Sequence, residues 1–332
     1  MTAPSAPVTS DVTTAPPPGP SLARRLFDPG NLAEWASLIG LIGLSIVFQS
    51  LNSTFLSTGN IQSMLVAAAI LIVLAIGQTF VIATAGIDLS VASAMTLAAV
   101  VFGTVFTAGI GLPLAILIAI LAGAAVGVTN GLLVARGKIT DFIVTLGTLS
   151  AASGLALIIA DGKPKTIISA PLLKLSTGTV WIFGYSFLIA IVLAAIAHVV
   201  LFHTRFGTYV LATGGNPDAA NAVGVSTKRI KTLVYVISGV LAGVASILLV
   251  ARVGAAEPAA NTAFLLNSVA SVVLGGVSLF GGRATIIGPV IGALLLTALV
   301  NGLTLLGVSQ FYQPLSVGIV VILAALLTRF QK

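Results

Sequence analysis

The sequence predicts an all-α protein that crosses a membrane about ten times. Two observations carry this reading. Hydrophobic residues make up 58% of the 332 residues and charged residues only 7%, with a mean hydropathy of +1.16. No soluble domain of this length could hide so much apolar surface, whereas lipid accepts it. The apolar runs are also of spanning length, roughly 33–51, 61–84, 89–108, 112–134, 140–160, 180–202, 232–251, 264–281, 285–306 and 312–329.

The placement of charge tests that division. With the N-terminus inside, Arg24, Arg25, Arg136, Lys138, Arg205, Lys228, Arg229, Lys231, Arg283, Arg329 and Lys332 fall on the cytoplasmic side. Only Lys163, Lys165, Lys174 and Arg252 fall outside, so 11 of the 15 Lys and Arg obey the positive-inside rule. An even number of spans also puts both termini in the cytoplasm. The net charge of +7 therefore records which loops face inward and does not point to nucleic acid. The absence of Cys removes disulfides, thiol chemistry and Cys-based metal sites. His198 and His203, five residues apart, do not share a helical face and read as interface residues, so neither a metal nor a cofactor is expected.

Along the chain, residues 1–20 are rich in Pro, Thr, Ser and Ala without apolar periodicity. Residues 1–30 read as a disordered cytoplasmic tail and 31–332 as the membrane domain. Arg24 and Arg25 precede the run from Trp35 to Leu51, the pattern of a start-transfer anchor with no cleavage site after it. From Ile61 to Gly109 the only charged residue is Asp88, in Ala85-Gly86-Ile87-Asp88-Leu89-Ser90. Gly86 is expected to break the helix there, and Ser90 and Asp88 to cap the next one, with no polar loop between two spans. Such a junction is either buried in protein or faces water. Farther on, Asp161-Gly162-Lys163-Pro164-Lys165 and the residues to about Gly178 form a polar outer segment.

His203 to Lys231 is a polar, basic stretch between two apolar runs and must lie in the cytoplasm. Gly214-Gly215-Asn216 reads as a flexible turn. Pro217 suits the first position of a helix and Asp218 its first turn, Ala219, Ala220 and Ala222 favour helix, and Gly224 can end it. A compact helix on that side gives a soluble partner something to push on; an ordinary helical loop is the plainer alternative. The stretch Leu274 to Arg283 carries Gly275, Gly276, Gly281 and Gly282 and is too Gly-rich for an unstrained helix, which suits close packing or a bend. Ser90-Val91-Ala92-Ser93 with Phe102-Gly103 recurs at the same separation as Ser268-Val269-Ala270-Ser271 with Phe280-Gly281. Asn130-Gly131-Leu132 is echoed by Asn301-Gly302-Leu303. The matched spans run in opposite directions, as an inverted repeat with broken helices would have them.

Enzyme chemistry finds no support. Of the eight acids, Asp11, Asp28 and Glu34 precede the first span, and Asp141, Asp161, Asp218 and Glu257 fall in or beside loops. Asp88 alone is placed for burial, as a helix cap or as a proton or substrate group. No nucleophile elbow or His/Asp/Glu cluster occurs. Gly131–Lys138 misses the phosphate-loop spacing and is followed by Ile139 where Ser or Thr is needed. Any ATP hydrolysis must come from another chain.

Several motifs resemble those of the membrane permease subunit of ribose-type ABC importers, within the branched-chain amino acid and ribose permease superfamily. They are Gly86-Ile87-Asp88-Leu89-Ser90-Val91, Phe142-Ile143-Val144-Thr145-Leu146-Gly147-Thr148, Gly154-Leu155-Ala156, and Arg205-Phe206-Gly207-Thr208-Tyr209. Gly214-Gly215-Asn216, Ala219-Ala220, Val223-Gly224-Val225, Ser238-Gly239, Ala242-Gly243, Ala251-Arg252, the run from Val272 to Leu279, and Gly281-Gly282 follow in matching order. The resemblance implies a two-permease core (a homodimer or a heterodimer), a separate pair of ATP-binding subunits, and a periplasmic or lipid-anchored binding protein that delivers a sugar across the bacterial inner membrane. It also implies that the 203–231 loop docks on the ATPase, through Gly214, Gly215, Asn216, Pro217, Asp218, Ala219, Ala220 and Gly224.

Two positions depart from the family pattern. Leu265-Leu266-Asn267 stands where Glu-Leu-Asp is usual, and Thr140-Asp141 where Pro-Pro is usual. The first change removes acidic groups near the expected outer mouth. A permease fed by a high-affinity binding protein needs only modest hydrogen bonding along its pathway. Asp88, Ser90, Thr145, Thr148, Asn267 and Ser271 are the candidates, each of which could instead serve helix packing. The other classes in play are an ATP-independent secondary transporter, a permease for a branched-chain amino acid or another small polar metabolite, and a membrane scaffold.

Overall fold

A computed structural model describes residues 32–259 and 262–329, so the N-terminal tail with Arg24 and Arg25, and the terminal Lys332, lie outside the described residues. The helices are α1 (Leu32–Leu51), α2 (Thr58–Ala83), α3 (Val91–Thr107), α4 (Leu112–Ala135), α5 (Asp141–Ala160), α6 (Ala170–Thr177) and α7 (Tyr185–His203). They continue with α8 (Arg205–Gly215), α9 (Pro217–Ala222), α10 (Thr227–Val253), α11 (Thr262–Leu274), α12 (Ile287–Leu305) and α13 (Gln313–Arg329). Among the described residues six helices are long and apolar enough to cross a membrane: α2, α4, α5, α7, α10 and α12. Shorter apolar helices at Trp35–Leu51, Val91–Thr107, Thr262–Leu274 and Gln313–Leu323 occupy the places of the other expected spans.

Two boundaries differ from the sequence reading for identifiable reasons. The run expected over 264–281 stops at Leu274, because Gly276, Gly281 and Gly282 take φ of +82°, +76° and +74° and turn the chain. The run expected from 180 becomes helical only at Tyr185. Before it, β2 (Thr179–Val180) and β3 (Phe183–Gly184) form a hairpin with Trp181 at φ +56° and 81% exposed. The segment expected on the outer side is also structured. Its β1 (Lys165–Thr166) pairs antiparallel with β4 (Ala255–Ala256), which follows the left-handed cap Gly254 of α10. Asp161 and Lys163 form an exposed ion pair at 3.2 Å, of the kind that contributes little to stability.

The core is built around α2, in which nearly every residue from Leu65 to Ala83 is buried. It packs against α7, α10, α11 and α12, so a helix apolar all round is buried on every side. The most intimate helix pair is α4 with α10. A Cβ on Gly123 or Gly127 would overlap the carbonyl oxygen of Gly239 or Tyr235, and one on Gly239 would overlap that of Gly123. Small residues repeating every four positions let these two backbones touch, as lipid-embedded helices require when no hydrophobic force draws them together. By contrast α5 packs mainly on α3 and α4 and leaves Ile143, Leu146, Leu155 and Ile158 exposed.

Candidate translocation and coupling site

The Asp88 junction begins where α2 ends. The Thr84 hydroxyl donates to the Val81 carbonyl at 2.8 Å, and Ala85 then adopts φ +57°. The helix break thus falls on Ala85 rather than on Gly86, a strained choice for a residue with a Cβ. Gly86 is needed for room instead: a Cβ there would sit 3.1 Å from the Tyr235 hydroxyl.

Asp88 is 2% exposed. Its Oδ1 accepts from the Ser90 amide at 3.0 Å and the Ser90 hydroxyl at 2.7 Å, and its Oδ2 accepts from the Ser238 hydroxyl of α10 at 2.8 Å. Ser90 Oγ accepts in turn from Asn130 Nδ2 of α4 at 2.7 Å. Gln78 of α2 donates to the Asp88 carbonyl, and Tyr235 of α10 donates to the Ile87 carbonyl at 3.1 Å. From the other side, Asp141 Oδ2 at the start of α5 accepts from the Ile87 amide at 2.7 Å. Side chains of α2, α4, α5 and α10 therefore converge on the seven-residue junction 84–90 that leads into α3. Both carboxylate oxygens of Asp88 have hydrogen-bond partners. The capping reading of Asp88 accounts for its bonds to Ser90, and the bond to Ser238 adds a cross-link between helices that the sequence pattern did not announce. Gln78 Oε1 and Asn130 Oδ1 are buried without a protein donor among the described residues, so the network has spare acceptors.

The remaining pathway candidates are distributed around this centre. Thr145 is buried on α5, one turn beyond Asp141, and its hydroxyl donates to the Asp141 carbonyl at 2.8 Å. Thr148 lies farther along α5 and is half-buried. Ser271 is buried on α11 and donates to the carbonyl of half-buried Asn267 at 2.7 Å. Among the described residues no hydrogen bond joins the α11 pair to the Asp88 network. Gln78 and Tyr235, both central here, went unnoticed in the sequence because each lies within an apolar run and matches no motif of its own.

The loop after α7 is a helix pair. Thr204 caps α8 by accepting from the Gly207 amide at 3.3 Å. Gly214 and Gly215 are the last residues of α8 rather than a flexible turn, and Gly214 presses against the Ala83 carbonyl. The Asn216 side chain accepts from the Ala219 amide at 3.0 Å and caps α9, with Pro217 at its first position and Asp218 in its first turn. Gly224 closes it at φ +88°. Asn221 Oδ1 then accepts from the Thr227 hydroxyl at 2.9 Å and fastens α9 to the start of α10. Ala220 points inward at 3% exposure, whereas Pro217, Asp218, Ala219 and Val223 face out, Val223 at 80%. The outward face of α9 is therefore formed by the neighbours of Ala220.

On the opposite side in the threading, a cavity of about 320 Å³ is lined by Gln62, Ser63, Ser176, Thr177, Thr179 and Arg252, among others. It joins the start of α2 and the end of α10 to the structured outer segment. No group of three or more His, Cys, Asp and Glu positioned to hold a metal occurs among the described residues.

A chain of this kind, with a buried polar junction at the ends of apolar helices and a capped helix projecting nearby, can be set beside known proteins. The family model described as "Branched-chain amino acid transport system / permease component" matches residues 60–326. The chain belongs to this permease family. The permease is 37% identical over 316 residues to the ribose import permease protein RbsC of Escherichia coli strain K12, covering 91% of this chain and 96% of that one. It is 39% identical over 308 residues to the ribose import permease protein RbsC of Bacillus subtilis strain 168, covering 92% and 96%. It is 36% identical over 302 residues to the L-arabinose ABC transporter permease protein AraH of Azospirillum brasilense, covering 89% of each. The likeness to ribose-type permeases read from the motifs is borne out. No solved structure matches the chain.

Proposed function

We propose that this permease is the membrane subunit of a binding-protein-dependent ABC importer that moves a monosaccharide across the bacterial inner membrane. Similarity to sugar permeases over about nine-tenths of the chain carries the reading. In this proposal residues 31–332 form one membrane domain of ten spans with both termini in the cytoplasm, and residues 1–30 are a cytoplasmic tail. Two copies, or this chain and a second permease, enclose the pathway. A separate pair of ATP-binding subunits supplies the energy.

The 203–231 loop is the coupling element. Gly214, Gly215 and Asn216 fix the root of α9, Pro217, Asp218 and Ala219 present it, Ala220 anchors its inner face, and Gly224 returns the chain to α10. Nucleotide-driven closure of the ATP-binding subunits pushes on the exposed face and thereby on α7 and α10. Asp88, Ser90, Thr145, Thr148, Asn267 and Ser271 offer weak hydrogen bonds along the cargo's route. The 161–178 segment and the cavity at Arg252 face the delivering binding protein.

Reconstitution with the ATP-binding and binding proteins tests this. Labelled ribose, arabinose and allose are offered, and ATP-dependent uptake of at least one is expected. Uptake in the absence of the ATP-binding subunit would convert the reading to a secondary transporter. Val223→Asp places a charge on the outward face of α9 and should weaken ATPase assembly by about tenfold, the effect of losing roughly 1.4 kcal/mol at an interface. In this Cys-free chain, a single cysteine at 163 should label from the periplasm and one at 228 only after permeabilisation. Periplasmic labelling at 228 would reverse the topology.

A further inference from the structure

Three segments far apart in sequence, the end of α2, the end of α8 and the turn after α11, meet backbone to backbone. A Cβ on Gly214 would overlap the Ala83 carbonyl oxygen and lie 2.7 Å from the Gly282 nitrogen. A Cβ on Gly281 would lie 2.7 Å from the Ala85 nitrogen and 2.9 Å from the Gly214 oxygen. One on Gly282 would lie 2.8 Å from the Gly215 Cα. The Gly282 amide donates to the Ala83 carbonyl at 3.1 Å. Gly281 and Gly282 both have left-handed φ, so the turn needs glycine for its shape as well as for its contacts.

What lies on either side gives this contact its interest. Asn216, the cap of α9, directly follows Gly215. Asp88, the centre of the buried network, lies three residues beyond Ala85. The α12 helix starts five residues beyond Gly282. Side chains between packed helices can change rotamer and absorb a displacement, whereas touching backbones pass it on, because close-packed interiors transmit strain. Gly214 is itself buried in a helix, so the root of α9 has no soft joint on its α8 side.

We propose that this three-way glycine contact is the transmission element of the permease: a push on α9 shifts the Asp88 junction and the 278–283 turn together, moving the ends of α2, α3, α11 and α12 in one step. The proposal rests on the reading of α9 as the ATPase-facing helix. It assigns Gly214, Gly281 and Gly282 a positioning role in coupling, acting through Ala83 and Ala85 on the groups around Asp88.

The test measures solute imported per ATP hydrolysed by the full complex in lipid vesicles. Gly281→Ala wedges a methyl between the turn and Ala85. It should lower import per ATP at least tenfold while leaving ATP hydrolysis within about twofold of the parent. Gly43→Ala on α1, where a Cβ meets nothing within 4 Å, is the control for a glycine change as such. An unchanged import-to-hydrolysis ratio for Gly281→Ala overturns the proposal.

Hydrogen exchange on the unmodified complex gives a second readout that does not depend on the variant's folding. Nucleotide binding should alter protection of peptides covering 84–90 and 278–283 together with that of 216–224. A change confined to 216–224 overturns the transmission element while leaving α9 as the docking helix. No protection of 216–224 by the ATP-binding subunit, in a complex that imports, overturns the reading of α9 beneath it and this proposal with it.

Discussion

The junctions at 84–90 and 275–285 solve the same problem by opposite means. Each links two apolar helices with almost no charge and must satisfy the amides and carbonyls that a helix end leaves open. The first does so largely with side chains: Asp88, Ser90, Asn130, Ser238, Tyr235 and Asp141 supply donors and acceptors from three helices and the junction itself. The second does so mainly with backbone, its own and that of Ala83, with the Ser278 hydroxyl accepting from the Phe280 amide at 3.3 Å. The Ser278 amide donates to the Arg283 carbonyl at 3.2 Å, the Gly281 amide to the Ser278 carbonyl at 3.0 Å, and the Gly276 amide to the Val273 carbonyl at 3.0 Å. Its large side chains, Leu279 and Phe280, are 50% and 82% exposed. A side-chain network is redundant, so losing one member leaves the rest. A backbone contact has nothing to trim, so any added atom must displace a chain.

The comparison predicts its largest effect at the glycine junction. A Cβ on Gly288, at the start of α12, would overlap the Gly275 carbonyl oxygen, and neither backbone has a rotamer with which to yield. Gly288→Ala should destabilise the detergent-solubilised protein by about 3 kcal/mol, the upper end for overpacking, and lower its thermal midpoint accordingly. A midpoint equal to that of the parent would mean that the α11–α12 contact is loose and that the contrast between the junctions fails.

At the polar junction the expected loss is smaller and graded. Asp88→Ala leaves the hydroxyls of Ser90 and Ser238 and the Ser90 amide without their acceptor. It should cost about 2 kcal/mol, since unmet buried donors carry the desolvation penalty. Asp88→Asn keeps one carbonyl oxygen for Ser90 and should cost roughly half as much. Equal losses for the two variants, in thermal melts of matched preparations, would show that the charge matters and the donor pattern does not.

The difference between the junctions also explains what the sequence revealed. Asp88 is conspicuous because a lone acid in an apolar stretch of this length has few uses, whereas Ser90, expected to cap α3, stands at the cap position but turns its hydroxyl to Asp88 and makes no capping bond. The α9 helix is legible from Pro217 to Gly224, because helix-starting and helix-ending residues act locally, whereas Asn216 suggests a flexible turn and instead caps the helix. Gln78, Tyr235 and Ser238 were not legible as partners of Asp88. A hydroxyl or amide within an apolar run does not say which distant residue it faces. The glycines were visible as glycines, yet what they touch depends on tertiary packing. That is why Gly214 and Gly215 suggest a flexible turn in the sequence, whereas in the fold they end a helix. Ala220 looks like a partner contact in the sequence because a six-residue helix gives no periodicity from which to judge its inner face, yet it is buried.

The smallest predicted effect separates packing from cargo contact most cleanly. Ser238 bonds across helices to Asp88, whereas Ser271 donates to the Asn267 carbonyl of its own helix. Ser238→Ala should therefore cost about 0.6 kcal/mol, as interhelical hydrogen bonds in membranes do on average. Ser271→Ala should change stability by less than about 0.5 kcal/mol, because the Asn267 carbonyl keeps its ordinary helical partner. With stability nearly fixed, any fall in import by Ser271→Ala reads the loss of a hydroxyl from the cargo's route, in a buried position against the backbone-packed Gly292 of α12. Unaltered import at every cargo concentration would remove Ser271 from the pathway and leave it a packing residue. A melting loss as large as that of Ser238→Ala would show instead that the α11–α12 pair depends on side-chain bonds after all, and that the two junctions are less different than their glycines imply.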